Sequence, residues 1–279
     1  MAKIDNLRRR YHERICAEVI FEKSGGVPSM ADVDNKLSRR ISQNLLKLLP
    51  YPISKEEISG QTAGERLEQI TRSFLEESFS YLQHVRPGKW KVSVHDKISD
   101  FDQYRHLDEL AKMVEENKLL KTTLGDYVIS PDIIIARHPL SDEEIDQGKS
   151  ILGNKGLSKY TPLRAMNNSA LLLHASISCK WTLRSDRSQN ARTEGLNLIR
   201  NRKGHTPHIA VVTGEPVPSR IASLALGTGD IDCVYHFALH ELIKSVKKEG
   251  DETTVELLEM MTEGRRLRDI SDLPFDLAI

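Results

Sequence analysis

The stretch Ser176-Ile177-Ser178-Cys179-Lys180-Trp181-Thr182-Leu183-Arg184-Ser185-Asp186-Arg187 carries the densest set of side chains able to do chemistry. Read as a strand that ends near Leu183, it points Ser176, Ser178 and Lys180 to one face and Ala175, Ile177 and Cys179 to the apolar side. A lysine on a strand of this kind requires an anion or a carboxylate opposite it. The first candidate is Asp132, in Ser130-Pro131-Asp132-Ile133-Ile134-Ile135, where a charge is again set against a β-branched apolar run. Asp132 could ligate a hard cation such as Mg²⁺, and Lys180 could hold an anion. Taken without Lys180, an Asp before an Ile run is more often a cap at a strand edge. Where the strand ends, Arg184, Asp186 and Arg187 form an Arg-x-Asp-Arg group. Arginine forks onto guanine O6 and N7 and aspartate accepts from cytosine N4, so this group could read G·C pairs in a major groove. A salt-bridged turn is the plainer alternative.

The surrounding sequence supplies elements to hold these groups. Helical patterns run over Asn6 to Glu22, Lys36 to Leu49, Thr62 to Val85 and Gln103 to Asn117, and strand patterns over Trp90 to Val94, Tyr127 to Ala136, Leu171 to Leu183 and His208 to Thr213. A helix over Ala191 to Arg200 separates the last two strands. Leu67, Ile70, Phe74, Leu75, Phe79 and Leu82 form an inward stripe, with Glu68 beside it. A further helix is expected over Ile231 to Lys248, with an apolar face broad enough to be a subunit interface or a buried core helix. Ser141 to Lys159 reads as loop. The order is that of a mixed α/β sheet, and 279 residues suit a single domain.

Forty basic and forty acidic residues cancel, which excludes a uniformly basic nucleic-acid coat. From Lys180 to Lys203, however, seven basic residues face two acidic ones, a local net of +5. Such a segment could grip phosphates; a solvated helix face would carry the same charge. Cys16, Cys179 and Cys233 have neither zinc spacing nor a disulfide framework, which points to a reducing cytoplasm. No signal peptide or membrane span is expected. The thiol of Cys179, opposite Lys180 in the alternation, reads as core. His236 and His240, one turn apart on the expected helix, read as surface or interface residues, because no carboxylate stands where an HExxH zinc site needs it.

The segments around Asp132 and Lys180 resemble the PD-(D/E)xK pattern of the metal-dependent restriction-endonuclease-like nucleases. Where that pattern has Asp or Glu two residues before the lysine, this chain has Ser178. That variant resembles the type II restriction enzymes that cut sites with a CCGG core, which recover a carboxylate from the helix after the lysine strand. Glu194, in Asn190-Ala191-Arg192-Thr193-Glu194-Gly195, fits that replacement. The resemblance runs from Gly60-Gln61-Thr62-Ala63-Gly64 to Asp269-Ile270-Ser271-Asp272-Leu273-Pro274.

It implies a restriction-endonuclease-like α/β fold with a central mixed sheet flanked by helices. It also implies a site in which Asp132, Glu194 and the backbone carbonyl of Cys179 hold Mg²⁺, two ions per site. Glu68, from Gly64-x-x-Leu67-Glu68, would add a carboxylate, with Glu65 the competing assignment, and Lys180 would hold the attacking water and a phosphate oxygen. By the same resemblance Arg184, Asp186 and Arg187 read the CCGG core, Arg220 and Asp32 the outer pair, and Gln61 the minor groove. Asp34 occupies a neighbouring DNA-contact position at which a relative has serine. The implied activity is a type II deoxyribonuclease cutting both strands of GCCGGC after the first G and leaving CCGG overhangs. A palindrome implies a dimer at least, and the family implies a homotetramer made of two dimers. Two rivals remain at this level: a structure-specific repair nuclease of the same fold, and a noncatalytic DNA-binding protein.

Overall fold

A computed structural model of the chain describes residues 2–116, 122, 130–153, 157–227 and 229–279, apart from the side chains of residues 185 and 186. The first third is mainly helical: α1 (Lys3–Glu18), a small hairpin of β1 (Glu22–Lys23) and β2 (Val27–Pro28), α2 (Lys36–Leu48) and α3 (Gly60–Tyr81). Then come β3 (Trp90–Val94), α4 (His106–Glu116), β4 (Ile133–Arg137), α5 (Asp142–Asp146), β5 (Leu172–Lys180), α6 (Ser185–Asn201) and β6 (His208–Thr213). The chain closes with α7 (Pro218–Ala225), β7 (Cys233–His236), α8 (Leu239–Glu249), α9 (Glu252–Glu263), β8 (Leu267–Asp269) and α10 (Leu273–Asp276).

Strands β3 to β8 form one sheet in that spatial order. The β3–β4 and β4–β5 pairs are antiparallel, and β5–β6, β6–β7 and β7–β8 are parallel. The central strands are buried on both faces, β4 with apolar side chains and β5 with His174, Ser176 and Ser178 on one of its faces: Ile133 to Ala136 and Leu173 to Cys179 are all buried. On one side α3 sends Leu67, Ile70, Phe74, Leu75 and Phe79 into the core. Its N-terminus is fixed by Ser59, whose hydroxyl accepts from the Thr62 N–H at 3.0 Å. Because β4 runs opposite to β5, the start of β4 meets the end of β5 at one end of the sheet, with Ile133 opposite Ile177. That topology carries Asp132 to Ser178 and Lys180.

Several boundaries differ from those expected. The helix expected from Asn6 to Glu22 stops at Glu18, because Val19, Ile20 and Phe21 turn into the core. The stretch Ile231 to Lys248 is not one helix. It is strand β7, a turn at Phe237-Ala238, and α8. Its wide apolar face comes from a strand buried on both sides, so Val234, Tyr235 and Phe237 pack within the chain, not against a second subunit. His236 and His240 therefore do not share a helix face: the first is buried on β7 and the second exposed on α8. Helix α6 starts at Ser185, six residues before the expected Ala191, placing Arg187 in its first turn. The expected loop after Ser141 contains α5, closed by a capping box in which the Ser141 hydroxyl accepts from the Glu144 N–H and the Glu144 carboxylate accepts from the Ser141 N–H. Of the strand expected over Tyr127 to Ala136, residues 127–129 lie outside the described residues, as does Asn117 at the end of the fourth expected helix.

Candidate active site and base-reading cleft

One oxygen organises the centre. Asp132 Oδ2 accepts from Lys180 Nζ at 3.0 Å, from the Cys179 N–H at 2.7 Å and lies 3.3 Å from Ser178 Oγ. Ser178 Oγ is also 3.2 Å from Glu194 Oε2, which reaches the site from α6. The alternation read from sequence accounts for this: Ser178 and Lys180 share a face, while the Cys179 thiol is buried on the other and held well above its ordinary value by burial. Glu68 comes from α3, is 8% exposed and leaves Oε2 without a hydrogen bond. His95 Nε2 stands 3.2 Å from that oxygen, on a residue strained into the left-handed region at φ 57°. Glu65, the alternative to Glu68, is exposed and accepts from Gln61 Nε2 at 3.1 Å.

The electrostatics follow from packing three carboxylates and one ammonium into a half-buried edge. Burial pushes Glu68 up to about 7, and the charge of Asp132 adds to the push. Burial also raises Glu194, with Asp132 adding and Lys180 opposing. For Lys180, burial works against the charge, but Asp132 and Glu194 outweigh it and hold the ammonium above its ordinary value. Held in this way, the ammonium can orient an anion or a water.

Beyond Lys180 the chain enters a cleft of about 240 Å³ lined by Lys23, Asp32, Gly60, Arg184, Arg187 and Arg220, among others. Arg184 is exposed at its mouth. Arg187 Nη1 donates to Thr182 Oγ1 at 2.9 Å, which fixes the guanidinium against the strand end. Arg220 is ion-paired with Asp32, although 188 residues separate them in sequence. The guanidinium holds the Asp32 carboxyl below its ordinary range. Asp34 is exposed beside it and donates its N–H to Asp32 Oδ1 at 3.2 Å. Gln61 is exposed on the first turn of α3, next to Gly60. Asp186 stands on the first turn of α6, but its side chain lies outside the described residues. No described helix is long and apolar enough to cross a membrane.

A family model, the NgoMIV restriction enzyme, matches residues 11–279. The chain is 48% identical to the type II restriction enzyme NgoMIV of Neisseria gonorrhoeae, over 98% of this chain and 97% of that protein. The chain belongs to the NgoMIV restriction enzyme family. It is thereby a type II restriction endonuclease with the restriction-endonuclease-like fold expected from its sequence. Among solved structures, Bse634I bound to cognate DNA resembles it at TM-score 0.38 and 12% identity, over 86% of this chain and 99% of that one. A second Bse634I structure gives 0.33 and 13%, over 75% and 86%.

Enzymes of the NgoMIV family's type generally use a divalent metal. The donor set here fits a hard cation: carboxylate oxygens from Asp132 and Glu194, and Glu68 Oε2, which accepts no hydrogen bond. Among the described residues no three His, Cys, Asp or Glu side chains form a ready cage. Three residues at this NgoMIV-type site escaped the sequence reading. His95 follows a strand in an unusual turn. Lys23 lines the cleft with its charge disfavoured by burial and by Arg184. Glu215 is wholly buried, with Oε1 3.8 Å from Arg220 Nη1. Only Gly214-Glu215-Pro216, a charge between two turn formers, gave any hint.

Proposed function

We propose that this NgoMIV-family enzyme hydrolyses both strands of double-stranded DNA at GCCGGC, after the first G, leaving 5′-CCGG overhangs. The observation that carries the reading is the meeting of Asp132, Ser178, Lys180 and Glu194 at one end of the sheet, where the chain runs on from Lys180 into a cleft lined by Arg184, Arg187, Arg220 and Asp32. Asp132 and Glu194, with the Cys179 carbonyl and with Glu68 directly or through water, would hold Mg²⁺, two ions per site. The metal supplies an activated water and charge neutralisation on the phosphate. Lys180 orients the attacking water and one phosphate oxygen, and Asp132 fixes Lys180 by their 3.0 Å contact. Ser178 spaces the two carboxylates. Arg184, Asp186 and Arg187 read the CCGG core, and Arg220 with Asp32 the outer G·C pair, by forked donation to guanine and acceptance from cytosine N4. Gln61 reaches the minor groove, and Asp34 contributes beside Asp32. The palindrome calls for a two-fold pair of chains, and we extend it to a tetramer of two dimers, each chain a single domain acting in the bacterial cytoplasm.

The test is plasmid DNA with mapped GCCGGC sites, incubated with Mg²⁺ and either the wild type or Asp132→Ala, the ends then being sequenced. Discrete cuts at those sites, absent in the variant, support the reading. Cuts at another CCGG-containing site remove Arg220 and Asp32 as outer-pair readers. Random cutting favours a repair nuclease, and binding without cutting favours a noncatalytic DNA-binding protein.

A further inference from the structure

Glu215 has no exposed surface, yet it is an acidic residue lying just past the end of β6. The last pair of the β5–β6 ladder is Lys180 with Thr213. Beyond it the Gly214 N–H donates to the Trp181 carbonyl at 3.0 Å, and then the strands part. Glu215 takes over where the ladder stops. Its Oε2 accepts from the Leu183 N–H at 2.8 Å and its Oε1 from the Val217 N–H at 3.1 Å. Its own N–H donates to Thr213 Oγ1 at 3.2 Å, and Arg220 Nη1 lies 3.8 Å from Oε1. Leu183 immediately precedes Arg184, and Val217 immediately precedes α7, which carries Arg220. Gly214 is seated against Trp181 so closely that an added Cβ would stand 2.4 Å from the ring. The turn thus has one place to sit.

We propose that Glu215 is a positioning residue for base reading: one buried carboxylate that fixes Arg184 and Arg187 relative to Arg220, and both groups relative to Lys180. The inference rests on the reading above, that these arginines contact bases. A carboxylate is needed because both partners are amide donors. A glutamine in the same place presents one oxygen and one NH₂, so one of the two amides meets a donor and its segment shifts. A plain buried cap would make a different prediction: its loss would lower stability and slow cleavage of every DNA alike.

The experiment compares E215Q and R220A with the wild type in Mg²⁺, measuring kcat/KM on three oligoduplexes: GCCGGC, the same site with its outer pair changed, and the same site with one inner pair changed. For E215Q the preference for GCCGGC over both altered duplexes should fall by about tenfold or more, the loss expected when forked base contacts are misplaced. For R220A only the outer-pair preference should fall. Preferences of E215Q that both stay within about twofold of the wild type, a difference of less than ~0.5 kcal/mol, overturn the inference whatever happens to the overall rate. A wild type that cuts all three duplexes alike overturns the base-reading assignment itself. Should E215Q fail to fold by circular dichroism, E215D is read by the same criteria, since it keeps the charge but cannot reach both amides.

Discussion

Ser178 Oγ meets Glu194 Oε2 at 3.2 Å, a strand hydroxyl touching a carboxylate supplied by the following helix. The same hydroxyl is 3.3 Å from Asp132 Oδ2, and it has one proton to give. It can bind either carboxylate in turn and keeps both at a fixed spacing. On the proposed reading, the acidic group that the wider nuclease pattern places two residues before the lysine is supplied instead by Glu194 from α6, with Ser178 in contact with it.

Ser178→Ala should therefore slow cleavage without abolishing it. A hydrogen bond to a charged group contributes about 1.5–3 kcal/mol, so a loss of roughly tenfold to a hundredfold is expected. The Mg²⁺ concentration for half-maximal rate should rise as well. Initial rates across a Mg²⁺ titration measure both, and an unaltered titration would show that Ser178 does not space the carboxylates.

Gly195→Ala should reverse the usual sign for a helix. Replacing a mid-helix glycine by alanine ordinarily stabilises by about 0.5–1 kcal/mol. Here the new Cβ would lie 2.5 Å from the Asp230 carbonyl oxygen, which is backbone and cannot swing aside. Overpacking of this kind costs about 1–3 kcal/mol. Thermal melting should fall, and cleavage should fall with it, because Glu194 is the adjacent residue. A variant more stable than the wild type would contradict the packing of α6 described above.

Stability should decline as pH rises from 6.5 to 8 in the metal-free protein. Burial raises Glu68 and Glu215 to about 7, above the ordinary value of 4.5. A raised folded-state value means the native state holds protons that the unfolded chain releases. The stabilisation is complete below 4.5 and is lost as pH passes about 7. The histidines do not interfere in this window. His174 and His236 are lowered by burial to about 4, so their contribution changes only below 6.5. Melting temperatures at each half unit of pH provide the check, and E68Q should flatten the slope. A melting temperature that climbs through this window would rule out protonated buried carboxyls.

Arg220→Ala and Asp32→Ala should each relax the outer pair by about 1–3 kcal/mol, leaving the inner pairs read as before. Competitive cleavage of duplexes that differ in that pair gives the ratio. Equal effects on inner and outer pairs would show that the Arg220–Asp32 pair holds the cleft together without reading a base.

The parts of the molecule legible in sequence were those whose partners are side chains in a periodic pattern. β6 has the expected limits, His208 to Thr213, and strand alternation put Lys180 on the face that meets Asp132. β7 was misread because a strand buried on both faces has the same unbroken apolar run as a buried helix. The start of α6 was hidden for another reason. Its N-cap Arg184 makes no capping hydrogen bond, and Arg187 puts a positive charge where a helix prefers a negative one. The local rules were broken at the residues proposed to face DNA. Beyond the hint of a charge between Gly214 and Pro216, no pattern leads to Glu215, since its partners are backbone N–H groups that every sequence possesses.

On the proposed reading, the Arg220–Asp32 ion pair would give recognition the form of an exchange. With the cleft free of DNA, the two proposed readers of the outer pair already satisfy one another. A G·C pair offers each of them a better-matched partner, an acceptor edge for the arginine and an amino donor for the aspartate. An A·T pair also carries acceptors and an amino donor but lacks the paired O6 and N7 acceptors of guanine, and a reversed pair exchanges the positions of the two groups, so the protein gives up an internal bond without full return. Discrimination would then come as much from the contact that a wrong sequence fails to replace as from the contacts that the right one makes.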